Sequence, residues 1–371
     1  MFDATEEKGV DPDWDHGGPP PGDAGLSRID ASTTVNPFPS SDLAGILKEA
    51  IARARTYPDP VSGNARSSLA RKFSLDPDRI ATGGGATVLL YTLIRDTSVR
   101  RLILFEPVFS EYERAARMAG IPVCRIPPDM RLPYSGGQND GLAPCRWGID
   151  PESVDGRTIV PGDLAVLVNP VNPTGQEFSC EQVIKLAMVL SARGGSLLVD
   201  ESFQDFIDNR SSVLSAAGEG GISVLRSLTK ISGFPGLRTG YLAGDISRMA
   251  RIRRALGPWS TGTLEQELMI WASQRSVSSD FGWKEEAKDA LHSILLRAGI
   301  PYVSGAGPFV FIRPGWCSSE GKNARERLWR QGIRIRLGNG FGPEEGEQFI
   351  RLGFEAFFKG EALVSALRST G

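Results

Sequence analysis

The segment Ser227–Tyr241, SLTKISGFPGLRTGY, begins at the end of the apolar run Ile222–Leu228 and places a lysine just after it. It contains Lys230 and Arg238, eight residues apart, with two glycines and a proline between them. The apolar run predicts a buried strand, and the glycines and proline predict a tight loop after it. Because a lysine is normally a solvated surface group, one held in such a loop at a strand end predicts a functional amine at the edge of a sheet.

Strands and helices alternate on the N-terminal side of this segment. Helical spacing of apolar residues from Leu43 to Ala54 predicts a first helix, which ends before Pro58. Pairs of the form Ser-x-x-Glu/Gln, at Ser110 and at Ser179, predict capping boxes at the start of two further helices. Short apolar strands are predicted in RLILFEPVF (101–109), DLAVLVNP (163–170) and SLLVDE (196–201). This alternation predicts an α/β fold with a largely parallel sheet covered on both faces.

Length and composition indicate the domain organisation. A chain of 371 residues is longer than one compact core usually accommodates, and it predicts two domains. We expect an N-terminal arm over 1–37, a large domain over 38–262 and a small α+β domain over 263–371. The arm is rich in Gly, Pro and Asp and is expected to be irregular.

Composition also excludes several classes of function. A net charge of -2 gives no electrostatic reason to expect nucleic acid, and no apolar run is long enough to span a bilayer. The acidic, polar N-terminus does not resemble a secretory signal, so a cytoplasmic location is expected. Only His16 and His292 are present, and the four cysteines are scattered. A metal site or a Ser-His-Asp mechanism is therefore not expected.

Polar residues follow the predicted strands, where the carboxyl ends of parallel strands bind ligands. These are Asn172, Asp200, Lys230 and Arg238. An amine can condense with the aldehyde of pyridoxal 5'-phosphate, and a carboxylate keeps the pyridine nitrogen protonated. Asn172 suits the ring's phenolic oxygen. Each residue has a common structural explanation as a turn, a helix cap or a surface group, but their order and contexts favour a pyridoxal phosphate site.

A glycine-rich stretch supplies the expected phosphate site. In ATGGGATVLLYTLIR (81–95) the glycines precede an apolar helix, so the backbone amides of Gly85, Ala86 and Thr87 are expected to point at the phosphate. Arg238, Ser227 and Thr229 would complete the cup. Val88 occupies the position where a dinucleotide motif requires glycine, which disfavours a nicotinamide or flavin dinucleotide.

Taken together, these motifs resemble the class I/II aminotransferase family of fold-type I pyridoxal phosphate enzymes. The resemblance extends over nearly the whole chain, through TYPDP (56–60), FEPVFSEY (105–112), NPVNPTG (169–175), DESFQDF (200–206), PWSTGTLEQ (258–266) and FIRLGF (349–354). It implies an aspartate aminotransferase-like fold with Lys230 as the cofactor-bearing lysine and Arg238 on the phosphate. It further implies that Phe109 stacks on the ring and that Tyr57 reaches the cofactor of a neighbouring subunit, in a homodimer with shared active sites.

Within the family, the chain resembles the L-threonine-O-3-phosphate decarboxylases, which are related to histidinol-phosphate aminotransferases. The likeness is carried by HGG at His16–Gly18, by Phe203 where the aminotransferases usually have tyrosine, and by PWS at 258–260. Phe203 lacks the phenol that would donate to the cofactor's phenolic oxygen, so Asn172 would hold that oxygen with less help.

The resemblance also implies a set of substrate-binding residues. Arg351 matches a carboxylate-binding arginine, Arg336 matches an arginine that meets substrate phosphate, and His16 is implied in the same contact. Alternation in IRIR (333–336) places Arg334 and Arg336 on one face of one strand, for which the alternative is a solvated edge strand. Departures from the family pattern at Gly84, Val88, Gly307 and Pro308 affect substrate identity more than cofactor use.

Three functions stay open. A decarboxylase and an aminotransferase require the same lysine and differ in which bond at the substrate α-carbon stands perpendicular to the ring, an angle that sequence does not show. Decarboxylation is favoured by the three likenesses above. An aminotransferase of the histidinol-phosphate type, or a relative diverted to another amino acid, is the alternative. A non-catalytic scaffold or regulator is disfavoured because binding alone does not require the full set of residues.

Overall fold

A seven-stranded sheet forms the larger part of the molecule. The computed structural model describes residues 29–128, 149–151, 154–207, 210–275, 282–313, 318–341 and 349–369. The sheet has the order β2-β8-β7-β6-β5-β3-β4. Its strands are β2 (Ile80–Gly84), β3 (Arg101–Phe105), β4 (Val123–Ile126), β5 (Asp163–Val168), β6 (Ser196–Asp200), β7 (Ile222–Ser227) and β8 (Thr239–Ala243).

All the strand pairs are parallel except those made by β8, which is antiparallel to both β2 and β7. The strands β5, β6 and β7 are buried along their whole length, as expected for a sheet covered on both faces. The predicted α/β class is therefore confirmed. Because β8 returns along β7, the loop that joins them lies at the carboxyl edge, where the other parallel strands end.

Eleven α-helices occur in the described ranges. Helices α1 to α6 are Ser41–Arg53, Gly63–Phe73, Ala86–Ile94, Glu111–Ala119, Cys180–Ser191 and Ile246–Leu256. Helices α7 to α11 are Thr263–Gln274, Gly282–Arg297, Ser318–Arg330, Phe354–Phe358 and Gly360–Arg368. None of the helices in these ranges is both long and apolar enough to cross a membrane.

The two predicted capping boxes have different outcomes. At Ser179 the box is present, with both reciprocal bonds to Gln182. At Ser110 it is absent, so that prediction is wrong: Ser110 itself has helical φ and ψ angles and makes no side-chain cap, whereas a capping residue needs extended backbone. The carboxylate of Glu113, the expected partner, instead accepts from Arg125.

Two smaller sheets complete the fold. One has the order β12-β13-β10-β9, and the other pairs β1 with β11. These strands are β1 (Ile29–Asp30), β9 (Tyr302–Ser304), β10 (Val310–Ile312), β11 (Ile333–Arg334), β12 (Arg336–Leu337) and β13 (Ile350–Leu352). The part of the predicted arm that is described is thus not wholly irregular, because Ile29 and Asp30 pair in parallel with Ile333 and Arg334. The domain boundaries stay a prediction; α7, just beyond residue 262, packs against α1 and α2.

A buried ion network lies beneath the carboxyl edge of the large sheet. The Arg226 guanidinium, only 1% exposed, contacts the carboxylates of Glu201 at 2.7 Å and Asp205 at 2.9 Å, and Nη2 donates to Ser212 Oγ at 2.9 Å. Charge compensation is needed here because an unpaired buried carboxylate costs several kcal/mol, on the order of 3–5 when its partner is removed. The network fixes the turn that follows β6.

Candidate active site

A cavity of about 690 Å³ opens at the carboxyl edge of the large sheet. Strand ends converge there because β3, β5, β6 and β7 all run in the same direction, as sequence reasoning expected. Twelve of the predicted site residues line this cavity: Ala86, Thr87, Phe109, Asn172, Asp200, Phe203, Ser227, Thr229, Lys230, Arg238, Arg336 and Arg351.

Lys230 lies in the loop between β7 and β8, with its ammonium over the Phe203 ring at 4.6 Å from the centroid. Burial, together with the positive charges of Arg351, Arg238 and Arg336, outweighs the opposing effect of Asp200 and lowers the pKa of Lys230 to about 8. A larger fraction of the amine is therefore neutral near pH 7 than in an ordinary lysine, which is the form that attacks an aldehyde.

Asp200 ends β6, and both of its carboxylate oxygens accept a hydrogen bond. The hydroxyl of the fully buried Tyr112 donates to Oδ2, and the Ser202 backbone N–H donates to Oδ1 at 2.8 Å. Burial and the neighbouring carboxylate raise the pKa of Tyr112 well above its usual range, so it remains a donor. Sequence reasoning missed Tyr112, although it follows Phe109 by three residues and so lies beside it at the start of α4.

The phosphate cup is formed by the start of α3 and the loop before β8. Gly85 caps α3 with φ +94°, a conformation that favours glycine, and Ala86 and Thr87 form the first turn. A Cβ on Gly85 would lie 3.0 Å from Arg238 Nη2, and one on Gly240 would lie 2.7 Å from the Ala86 amide nitrogen. Two glycines thus allow the guanidinium and β8 to approach the helix N-terminus, where anions bind.

The two predicted substrate arginines, Arg351 and Arg336, face the same cavity. Arg351 Nη1 donates to Asn172 Oδ1 at 3.2 Å, and Nη2 donates to the Ser32 carbonyl. Burial, together with the charge of Arg336, lowers the pKa of Arg351 well below its ordinary value. The guanidinium of Arg336 lies over the rings of Phe109 and Phe341, at 5.6 and 4.8 Å from their centroids.

The predicted common strand for Arg334 and Arg336 is wrong. Arg334 belongs to β11 and pairs with Asp30 at 3.0 Å, whereas Arg336 belongs to β12 and enters the cavity. At Ile335 the chain passes from the β1–β11 pair to the four-stranded sheet, so the two arginine side chains lie in different surroundings. A solvated edge strand is also contradicted, since Arg334 is 8% and Arg336 4% exposed.

Two of the remaining predicted residues do not line the cavity. Tyr57 is 85% exposed and packs on Trp259 with ring centroids 5.3 Å apart. The Gly85 amide, predicted to point at the phosphate, instead donates to the Gly83 carbonyl at 2.7 Å. His16 falls outside the described residues. Sequence reasoning also missed the segment 32–35, which forms one wall of the cavity. The sequence of that segment contains no local signal for a place in the cavity wall. The segment is held there by hydrogen bonds from Arg351 to the Ser32 carbonyl and from the Gly353 amide to the Ala31 carbonyl.

This donor set fits pyridoxal 5'-phosphate. The cup would hold the phosphate, Asp200 the pyridine nitrogen, Asn172 the phenolic oxygen and Lys230 the aldehyde carbon, with Phe109 beside the ring. The absence of a Cβ at Gly240 keeps the phosphate end open, because a methyl group there would press on the Ala86 amide. Each functional group of the cofactor thus has a chemically matched partner in one cavity.

Comparisons with known proteins agree with this assignment. A family model described as aminotransferase class I and II matches residues 30–363. Threonine-phosphate decarboxylase of Salmonella typhimurium is 28% identical over 92% of this chain and 90% of its own length. Histidinol-phosphate aminotransferase of Moorella thermoacetica is 26% identical over 92% of this chain and 84% of its own length.

Solved structures share the fold. L-threonine-O-3-phosphate decarboxylase from Porphyromonas gingivalis superposes with a TM-score of 0.75 at 21% identity, covering 91% of this chain and 97% of its own. Histidinol-phosphate aminotransferase from Sinorhizobium meliloti, in complex with pyridoxal-5'-phosphate, gives 0.74 at 21% identity and covers 92% of each chain. At this identity the likeness concerns the fold alone. The match to the family model over most of the chain carries the assignment: this protein belongs to the class I and II aminotransferases and is a pyridoxal phosphate-dependent enzyme.

Proposed function

We propose that this enzyme decarboxylates L-threonine-O-3-phosphate to aminopropanol phosphate, a reaction of the kind used in cobalamin biosynthesis. The observation that carries the proposal is the pairing of Arg336 with Arg351. They are directly opposite each other in the antiparallel ladder of β12 and β13. Both are 4% exposed and both line the cavity.

Like charges directly opposite each other destabilise a sheet, so two buried guanidinium groups in this position favour a substrate with two anionic groups. Arg351 would bind a carboxylate and Arg336 a phosphate, since the planar guanidinium donates two parallel hydrogen bonds to either. An amino acid with an apolar side chain offers one anionic group to this pair of guanidinium groups. A phosphorylated amino acid offers one anionic group to each of them.

The chain's residues have distinct tasks in this reaction. Pyridoxal phosphate supplies an electron sink for the electron pair that remains at the α-carbon when a bond there breaks. Arg336 would anchor the substrate phosphate and so fix the orientation of the substrate carboxylate, which would position the bond that must break. The carboxylate leaves as carbon dioxide, and the α-carbon then takes a proton from the Lys230 ammonium. Asn172 and Asp200 hold the cofactor in place throughout.

An aminotransferase of the histidinol-phosphate type is the alternative, and the identity to the Moorella enzyme over most of the chain supports it. A product assay with and without 2-oxoglutarate separates the two. Purified enzyme is incubated with L-threonine-O-3-phosphate, and carbon dioxide and the amine are followed by mass spectrometry. We expect both products without any keto acid. Turnover only with 2-oxoglutarate would replace the proposal by an aminotransferase, and no turnover in either case would overturn L-threonine-O-3-phosphate as the substrate.

We further propose that the enzyme is a homodimer whose subunits complete each other's sites. Tyr57 and Trp259 support this, because both are exposed aromatic residues, 85% and 51%, that pack together outside the cavity. The proposed partner of Tyr57 is then a cofactor in another subunit. Mixing Lys230→Ala with Tyr57→Ala chains tests it. Each variant alone should be impaired, and mixed dimers, which contain one intact site, should regain activity. A mixture no more active than the two variants measured separately would contradict shared sites.

A further inference from the structure

Helix α8 carries two buried lysines that the chemistry described above does not use. Lys284 is 4% exposed and Lys288 is 5% exposed, and neither lines the cavity. Lysine is rarely buried unless its charge is satisfied, because removing an ammonium from water is costly. Their retention inside the protein therefore requires a structural or functional explanation.

The partners of both ammonium groups are mainly backbone carbonyls. Lys284 Nζ donates to the Phe206 carbonyl at 2.9 Å and to the Ala306 carbonyl at 3.3 Å. Lys288 Nζ donates to the Gly305 carbonyl at 2.6 Å. Glu285 lies between them, with its carboxylate 2.8 Å from Lys284 and 3.3 Å from Lys288. The two lysines thus join α8 to the short 3-10 helix Gln204–Phe206 and to the loop at Gly305 and Ala306.

The loop at Gly305 and Ala306 supports the turn that contains Asn172. The Ala306 amide donates to the Gly175 carbonyl at 2.9 Å, and the Gly175 amide closes the turn on the Val171 carbonyl at 2.6 Å. A Cβ on Gly175 would lie 2.8 Å from the Gly305 nitrogen, so the two backbones are in close contact. A displacement of the Gly305 loop therefore reaches Asn172 through backbone atoms alone.

The turn at Phe206 supports the Phe203 ring, which lies beneath Lys230. The Phe206 amide donates to the Phe203 carbonyl at 3.1 Å, so the carbonyl that Lys284 binds belongs to the same turn as Phe203. Phe309, which follows the Gly305 loop, packs edge-on against Phe203 with centroids 5.0 Å apart. Phe203 in turn lies under the Lys230 ammonium. Both ends of this contact are attached to α8 through Lys284.

We propose that Lys284 and Lys288 are positioning residues for the active site. Lys284 holds the turn of Phe203 and the Gly305 loop at a fixed separation, and Lys288 holds the Gly305 loop alone. Together they set the position of Asn172 and of the Phe203 ring relative to Lys230. The proposal concerns cofactor geometry, so it applies whichever amino acid the enzyme accepts.

Lys284→Met and Lys288→Met test the proposal, because methionine retains the length of the buried stem and removes the donor. Lys72→Met is the matched control. Lys72 Nζ also donates to two backbone carbonyls, those of Ala272 and Arg275, both at 2.7 Å, but it lies outside the cavity. Two readouts are used: hydrogen exchange of peptides covering 170–178 and 201–207 in the apoprotein, and visible circular dichroism of the cofactor per unit absorbance in the holoenzyme.

We expect Lys284→Met to lose protection in both peptides, by roughly tenfold where one hydrogen bond is lost, and to alter the dichroism of the cofactor. Lys288→Met should loosen 170–178 only. Lys72→Met should lower the melting temperature and leave the exchange of 170–178 and the dichroism of the cofactor at their wild-type values. The proposal is overturned if Lys284→Met behaves as Lys72→Met does. If Lys284→Met does not fold, Lys288→Met decides. The proposal is then overturned if peptide 170–178 of Lys288→Met exchanges at the wild-type rate.

Discussion

Arg351 Nη1 donates to Asn172 Oδ1 at 3.2 Å, which links the small sheet directly to the carboxyl edge of the large one. Because the amide oxygen faces Arg351, the amide nitrogen of Asn172 is the atom available to donate to a cofactor oxygen. The residue that binds the substrate carboxylate in the proposed function thus also orients a cofactor ligand. In the proposed function, a substrate bound at Arg351 would therefore act on the cofactor through the side chain of Asn172.

Lys230 should set the pH dependence of cofactor binding. Its pKa is lowered from 10.5 to about 8, so the neutral, reactive fraction of the amine grows as pH rises and approaches its maximum above about 8. We expect the initial rate at which apoprotein regains visible absorbance to follow this curve. Lys230→Ala should not regain this visible absorbance band. Lys230→Arg, which keeps the positive charge, is the control for the loss of charge. A midpoint near 10, or a persistent band in Lys230→Ala, would contradict the assignment.

Tyr112→Phe should reduce activity because the buried Asp200 carboxylate loses a donor. A hydrogen bond to a charged group is worth about 1.5–3 kcal/mol, so we expect kcat to fall by roughly one to two orders of magnitude. Tyr91→Phe is the control, since it removes another phenol of the cavity wall, one that donates to Glu111 at 2.5 Å. Equal losses in the two variants would show that the Tyr112–Asp200 bond has no special role.

Arg336→Ala should separate phosphorylated from plain substrates. Arg336 lines the cavity, so its loss should raise KM for L-threonine-O-3-phosphate far more than for L-threonine. Arg334→Ala is the matched control, because that guanidinium pairs with Asp30 and lies over Trp329 instead. Steady-state kinetics on both substrates provide the measurement. A similar change of KM for both substrates in Arg336→Ala would remove its phosphate-binding role.

Gly240→Ala should weaken cofactor binding through the phosphate cup. The new methyl group would lie 2.7 Å from the Ala86 nitrogen and 2.9 Å from the Arg226 carbonyl, so the start of α3 must move. We expect the Kd for pyridoxal phosphate, from equilibrium titration, to rise at least about tenfold, the loss of roughly one hydrogen bond to a charged group. Gly236→Ala, where nothing lies within 4 Å of a Cβ, should bind normally. Wild-type affinity in Gly240→Ala would rule out this geometry.

Arg226→Met should be the most destabilising of these substitutions. It leaves the fully buried Glu201 and the nearby Asp205 without their guanidinium partner, and removing one member of a buried ion pair costs about 3–5 kcal/mol. Urea unfolding of the apoprotein measures the loss. Arg157→Met, which removes the exposed pair with Asp155, should change the free energy of unfolding little. A loss below about 1 kcal/mol in Arg226→Met would contradict the network's role.

The α/β class and the polar residues at the strand ends could be predicted because they depend on short-range patterns. Apolar runs predict strands, and the parallel strands place Asn172, Asp200 and Lys230 at one edge whatever the details of packing. The cofactor could be named because the chemistry of these side chains matches its functional groups. No contact between distant elements was needed for these inferences.

Other features depended on contacts between distant parts of the chain. Alternation predicts Arg334 and Arg336 on one strand face. In the structure, β11 pairs with β1, so that Arg334 contacts Asp30, whereas β12 pairs with β13, so that Arg336 lies in the cavity. Tyr112 became a site residue only because α4 lies against the end of β6. Ser32 reached the cavity through Arg351, 319 positions away.

What the sequence by itself determined is therefore the set of chemical groups and the edge of the sheet where they meet, since both follow from local periodicity and strand direction. Only the tertiary structure decided which guanidinium enters the cavity, which hydroxyl meets Asp200 and which buried lysines hold the surrounding loops. A hydrogen bond or ion pair depends on positions in space, and residues hundreds of positions apart become neighbours only after the sheets have packed.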